Sequence, residues 1–93
     1  MAAIRWTSQA ASDLEDIADY IARSSSHYAR MLVIDVISAV DRLESFPLCG
    51  RTVNETDNPA IREIPLGSYR IVYRWKDPIV EILTVYQGAR ILD

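Results

Sequence analysis

Apolar residues recur along this chain with two different periods. Ala10, Leu14, Ile17, Ala18 and Ile21 fall three or four positions apart, which lines one face of a helix. Ala29, Leu32, Val33, Val36, Ile37, Val40 and Leu43 repeat the pattern and predict a second helix from about His27 to Ser45. Ser24-Ser25-Ser26 breaks the two, and so short a link implies an antiparallel helical hairpin. A β-rich run, Ile4-Arg5-Trp6-Thr7, precedes the first helix, with Ser8 as the expected N-cap. The position of this strand in a sheet is left open by the pattern.

After Phe46-Pro47-Leu48-Cys49-Gly50 ends the second helix, residues 51–60 read as a loop, with Asn54, Asp57, Asn58 and Pro59. Three strands are then expected, Ile61–Leu66, Tyr69–Lys76 and Ile79–Gln87, divided by Gly67-Ser68 and Asp77-Pro78. Turns this short require antiparallel pairing. Pro65 in the first of the three points to an edge strand or a short one. The middle strand alternates: Tyr69, Ile71, Tyr73 and Trp75 should pack on the hairpin, and Arg70, Val72, Arg74 and Lys76 should line an open face. In the third strand, Val80, Ile82 and Tyr86 are assigned to the core and Glu81 and Gln87 to the open face. The fold class is α+β: a short N-terminal strand, a helical hairpin, then a three-stranded antiparallel meander forming one small sheet. Residues 1–93 form one domain, without internal repeats.

Composition narrows the function classes. The chain has 93 residues, 49% of them hydrophobic and 25% charged, which fits a globular domain rather than a disordered one. Its single cysteine, Cys49, excludes an internal disulfide and fits a reducing compartment. Neither a signal peptide nor a membrane span is expected, so the protein is placed in the cytoplasm. A net charge of −3 argues against a surface that grips nucleic acid all over. The charge is uneven: residues 1–49 carry four arginines against seven acids, and residues 50–93 carry six basic residues against six acids. Five of those six are arginine, which suits bidentate contacts to carboxylate or phosphate.

These landmarks, in this order, resemble the RelE/ParE superfamily of toxins from type II toxin-antitoxin systems. Trp6-Thr7 with Ala10, Asp13-Leu14 and Ile17 is similar to the family's opening strand and first helix, followed by Tyr20-Ile21. Phe46-Pro47 with Gly50-Arg51 resembles its linker. Arg62-Glu63 and Tyr69-Arg70-Ile71-Val72-Tyr73 resemble its central strands, and Val85-Tyr86-Gln87-Gly88-Ala89-Arg90 its closing motif. The resemblance implies a cognate antitoxin partner with a DNA-binding N-terminal domain and a C-terminal segment that wraps the toxin. It also implies one of two activities. RelE-like members cut mRNA on the ribosome, and ParE-like members inhibit DNA gyrase without established catalysis of their own.

The resemblance places Arg70 and Arg90 where RelE-like enzymes hold phosphate, and these are the candidate catalytic residues. Arg51, Arg62, Arg74 and Gln87 are further candidates for target or phosphate contact. The blander alternative is that Arg62, Arg70 and Arg74 pair with Glu63 and Glu81 across strands. An RNA-cutting site also needs a group that moves a proton. Relatives often have histidine where Gln87 stands, the linker lysines of other members are missing, and only Ile91, Leu92 and Asp93 follow Arg90, without the family's later tyrosine. The one histidine, His27, reads as a helix-end surface residue. A ParE-like toxin that inhibits gyrase by binding is therefore favoured. An mRNA endonuclease and a non-toxic antitoxin-binding module are the alternatives. Cys49 reads as a structural thiol, and Trp6 and Trp75 as core or partner contacts. Neither a metal nor a cofactor is expected, since no cluster has ligand spacing and no phosphate loop is present. The antitoxin-binding residues and the stoichiometry of the complex stay open.

Overall fold

The structure is a computed structural model that describes residues 1–88. Its elements are β1 (Ala3–Trp6), α1 (Ser8–Ala22), α2 (Ser26–Asp41), a 3-10 turn (Arg42–Glu44), β2 (Arg51–Thr52), β3 (Ile61–Leu66), β4 (Tyr69–Lys76) and β5 (Ile79–Gln87). The helical hairpin packs on one face of a single five-stranded sheet of order β1-β5-β4-β3-β2. The expected α+β class holds, but the sheet is larger than a three-stranded meander. β1 joins it parallel to β5, with Ala3 opposite Ile79 and Trp6 opposite Ile82. β2 joins it inside the expected 51–60 loop, pairing Arg51 with Glu63 and Thr52 with Arg62. Two residues of pairing carry too little pattern to be seen in a sequence. Pro65 lies beyond those pairs, where β3 is the outer strand.

Both helices start on a side-chain cap. The Thr7 hydroxyl accepts from the Ala10 N–H at 3.0 Å and donates to the Ile82 carbonyl at 2.7 Å, so it caps α1 and ties it to β5. The cap is thus Thr7 rather than Ser8, because Thr7 also closes the strand. Ser25 caps α2 through the Tyr28 N–H. The second helix is shorter than His27–Ser45, since its last turn tightens into the 3-10 segment. Val36, Val40 and Leu43 meet Ile71, Tyr73, Val80, Ile82 and Val85 in the core. Burying one such aliphatic side chain contributes roughly 1.5–3 kcal/mol. Ala39 joins the core, and Ile37 is 40% exposed at the hairpin surface, contrary to its place in the apolar stripe.

β4 keeps its expected alternation, with Ile71 and Tyr73 fully buried and Tyr69 and Trp75 half-buried on the helix side. β5 does not. Val72 pairs with Thr84 but Tyr73 pairs with Ile82, so Leu83 is an extra residue in a β-bulge. A one-residue insertion reverses every later side chain. Val85 therefore takes the core position, Tyr86 swings out to 44% exposure on the Arg70 side, and Gln87 comes opposite Tyr69 on the helix side. This corrects two expectations, Tyr86 as core and Gln87 as open-face. Among the described residues, no helix is long and apolar enough to cross a membrane.

Candidate functional surfaces

Strand register sets which side chains share the sheet face away from the helices. It places Arg5, Arg51, Arg70, Arg74 and Lys76 there, against Glu63 and Glu81. The face is thus net basic on a chain that is net acidic. Arg74 Nη2 lies 2.6 Å from Glu81 Oε1, and Arg51 Nε lies 2.8 Å from Glu63 Oε2. Both arginines are about half exposed, so each pair is worth no more than ~1 kcal/mol and leaves its arginine free to re-pair with a ligand anion.

Arg70 departs from expectation. It sits on the predicted face but is only 8% exposed, flanked by Pro65 on β3 and Tyr86 on β5. A methyl group at Gly88 would come 3.0 Å from its Cγ, so its aliphatic stem lies under the end of β5. The long stem packs as an apolar rod, and its removal costs stability as well as charge. Arg90 lies outside the described residues.

Arg62 faces the helix side, opposite Tyr73. Its Nη1 donates to the carbonyls of Leu48 at 3.2 Å and Gly50 at 3.0 Å, and its Nε to that of Pro59 at 3.2 Å. Tyr73 completes the arrangement from beneath. Its hydroxyl donates to the Pro47 carbonyl at 2.7 Å and accepts from the Gly50 N–H at 3.0 Å. Burial pushes the Tyr73 phenol up, partly opposed by the Gly50 N–H. Gly50 is required here: a methyl group at that position would sit 2.7 Å from the Tyr73 ring. Arg62 and Tyr73 therefore clamp the linker 46–50. Phe46, Leu48 and Cys49 are left outside, with Phe46 64% and Leu48 53% exposed. No sequence periodicity signals this clamp, because it joins a strand to an irregular segment.

The helical face is different in character. Leu14, Ala18, Val33, Ile37 and Trp6 line an apolar groove of about 400 Å³ between α1 and α2. Tyr28, Met31 and Ile34 continue the exposed apolar surface along α2. Exposed apolar surface gathered in this way is of the kind that other chains cover. Residues 8–44 carry the seven acids of the chain's first half, against Arg23, Arg30 and Arg42. His27 is exposed on α2, its ring 5.7 Å from that of Tyr28. Among the described residues, no group of three His, Cys, Asp or Glu side chains gathers to hold a metal.

Relatives share this architecture. The family described as ParE toxin of type II toxin-antitoxin system, parDE, matches residues 4–92. The toxin RelE2 of Caulobacter vibrioides is 33% identical over 92 residues, spanning 98% of this chain and all of that protein. A putative toxin of Sinorhizobium fredii, Y4kP, is 37% identical over 84 residues, 88% of this chain and 83% of its own length. Among solved structures, the chromosomal ParDE toxin-antitoxin system from P. aeruginosa superposes with a TM-score of 0.75 at 26% identity, covering 95% of this chain and 97% of the other. The RelBE2 toxin-antitoxin complex from Mycobacterium tuberculosis shares the fold, with a TM-score of 0.67 at 23% identity, over 92% and 96% of the two chains. With its helical hairpin, its sheet and nearly its whole length matched, the chain belongs to the ParE toxin family of type II toxin-antitoxin systems, within the RelE/ParE superfamily.

Proposed function

We propose that this toxin acts by binding DNA gyrase rather than by cutting RNA, and that a cognate antitoxin silences it from the helical face. The make-up of the open sheet face carries the reading. Arg51 and Arg74 offer charge there beside the covered Arg70, and neither a histidine nor a lysine stands next to Arg70 in the strand pairing. Gln87, where relatives often have histidine, lies on the helix side and has no proton to exchange near neutral pH. The antitoxin reading is supported by the apolar groove between α1 and α2, which fits the apolar side of an amphipathic helix. The acids of the hairpin suit a basic segment around it. The test is a supercoiling assay with purified gyrase, run beside transcript integrity in arrested cells. Inhibited supercoiling with intact transcripts is the expected result. Untouched supercoiling, at toxin concentrations that arrest growth, refutes it.

One observation favours mRNA cleavage instead. The bulge in β5 sets the exposed Tyr86 beside Arg70, so a phenol and a guanidinium share the open face. Under that reading Tyr86→Phe abolishes transcript cleavage and leaves antitoxin binding intact.

A further inference from the structure

Phe46 and Leu48 are the best-exposed large side chains of the linker, and the fold holds them there. Four of the linker's backbone groups are fixed from inside. The Pro47 carbonyl and Gly50 N–H are held by the Tyr73 hydroxyl, and the Leu48 and Gly50 carbonyls by the Arg62 guanidinium. Cys49 N–H closes a turn on the Phe46 carbonyl at 3.1 Å. A loose linker would leave Phe46 and Leu48 free to fold back and bury apolar area. A clamped one keeps them presented, and a pre-ordered contact loses less freedom on binding. The tip shares no lining residue with the groove between α1 and α2.

Charge distinguishes the two surfaces further. Between Glu44 and Glu55 the sequence has no acidic side chain, and Arg51 lies within that stretch. Arg42 flanks the tip from the end of α2, lining with Cys49, Arg51 and Glu63 a cleft of about 330 Å³. Glu63 is occupied by Arg51, while Arg42 forms no ion pair among the described residues. The tip is therefore apolar, with Arg42 at its border as a basic group in no ion pair among the described residues and Arg51 neutralised by Glu63, whereas the hairpin around the groove is acidic.

We infer that Phe46 and Leu48 are the anchor through which the toxin engages its protein target, inserting into an apolar pocket bordered by acidic groups. The inference rests on the reading that the toxin acts by binding a protein. It commits the clamp formed by Tyr73 and Arg62 to presenting the anchor, and the groove on α1 and α2 to the antitoxin.

The experiment compares wild type, Phe46→Ser/Leu48→Ser and the apolar replacement Phe46→Leu/Leu48→Met. Each is measured for thermal unfolding, antitoxin affinity, growth arrest and inhibition of purified gyrase. Both variants should unfold and bind antitoxin as wild type does. The serine variant should lose at least 10-fold in gyrase inhibition and fail to arrest growth, and the apolar replacement should recover most of both. Arg42→Glu should lower inhibition several-fold and lessen its loss at raised salt. A folded serine variant that inhibits and arrests like wild type overturns the inference. If wild type arrests growth without touching gyrase, the gyrase reading falls and the arrest readout still decides: loss with the serine variant keeps the anchor, and retention removes it.

Discussion

Arg70 shows what burial does to an otherwise simple functional argument. The family resemblance suggests it as a phosphate contact, but it is almost fully covered and packs beneath the end of β5. Arg70→Ala is expected to cost ~1–3 kcal/mol of stability, read by chemical denaturation, so any loss of toxicity must be scored on protein shown to be folded. Tyr73 is a cleaner case. Its ring fills the core and, among the described residues, its hydroxyl is the partner of both the Pro47 carbonyl and the Gly50 N–H. Tyr73→Phe keeps the ring and leaves both linker groups without that partner, which should destabilise by ~1–3 kcal/mol in the same assay. Faster amide exchange at Gly50 should accompany it.

At the scale of elements, the bulge in β5 explains the misassigned residues. A strict two-residue period through Val80 and Ile82 points to Tyr86 as the next core aromatic, and nothing local in Leu83-Thr84-Val85 announces an inserted residue. The bulge sits where α1 meets the strand. Where β1 ends, Asp13 takes over the edge of β5 and accepts from the Thr84 hydroxyl and the Val85 N–H. Burial works to raise the Asp13 carboxyl and is outweighed by the bonds from Thr84, Gln9 and Val85, which hold it below the ordinary value of 3.8. A carboxyl lowered in the folded state stabilises fully above that value, and the contribution is lost as pH falls through the lower folded value. Asp13→Asn should therefore reduce stability by about 1–2 kcal/mol at neutral pH and shallow the acid limb of a stability–pH curve. An unchanged acid limb would remove Asp13 from this role.

At the scale of the molecule, the two helices and four of the strands, β1, β3, β4 and β5, were legible, the helices from their apolar period and the strands from β-rich runs bounded by turn or cap residues. β2 was not, and neither was the partner of β1, since long-range pairing leaves no mark on a local pattern. The arginines were legible as a set but not as individuals. Arg74 and Arg51 stand on the open face as ion pairs, Arg62 turned inward to the linker, and Arg90 lies outside the described residues. The two faces that result differ in both charge and hydropathy. Ile37→Asp, at a half-exposed position of the helical groove, should leave the fold intact and weaken antitoxin binding at least 10-fold in a titration, with growth arrest no longer relieved by co-expression.

The parallel pairing of β1 with β5 has a consequence in time. Ala3 bonds to Pro78 and Thr7 to Ile82, so the first strand made has no place in the sheet until almost the last strand has left the ribosome. At 5–20 residues per second that delay is roughly 4–15 s. In the later part of it, once α2 is made, the two helices carry an apolar face that lacks the complete sheet beneath it.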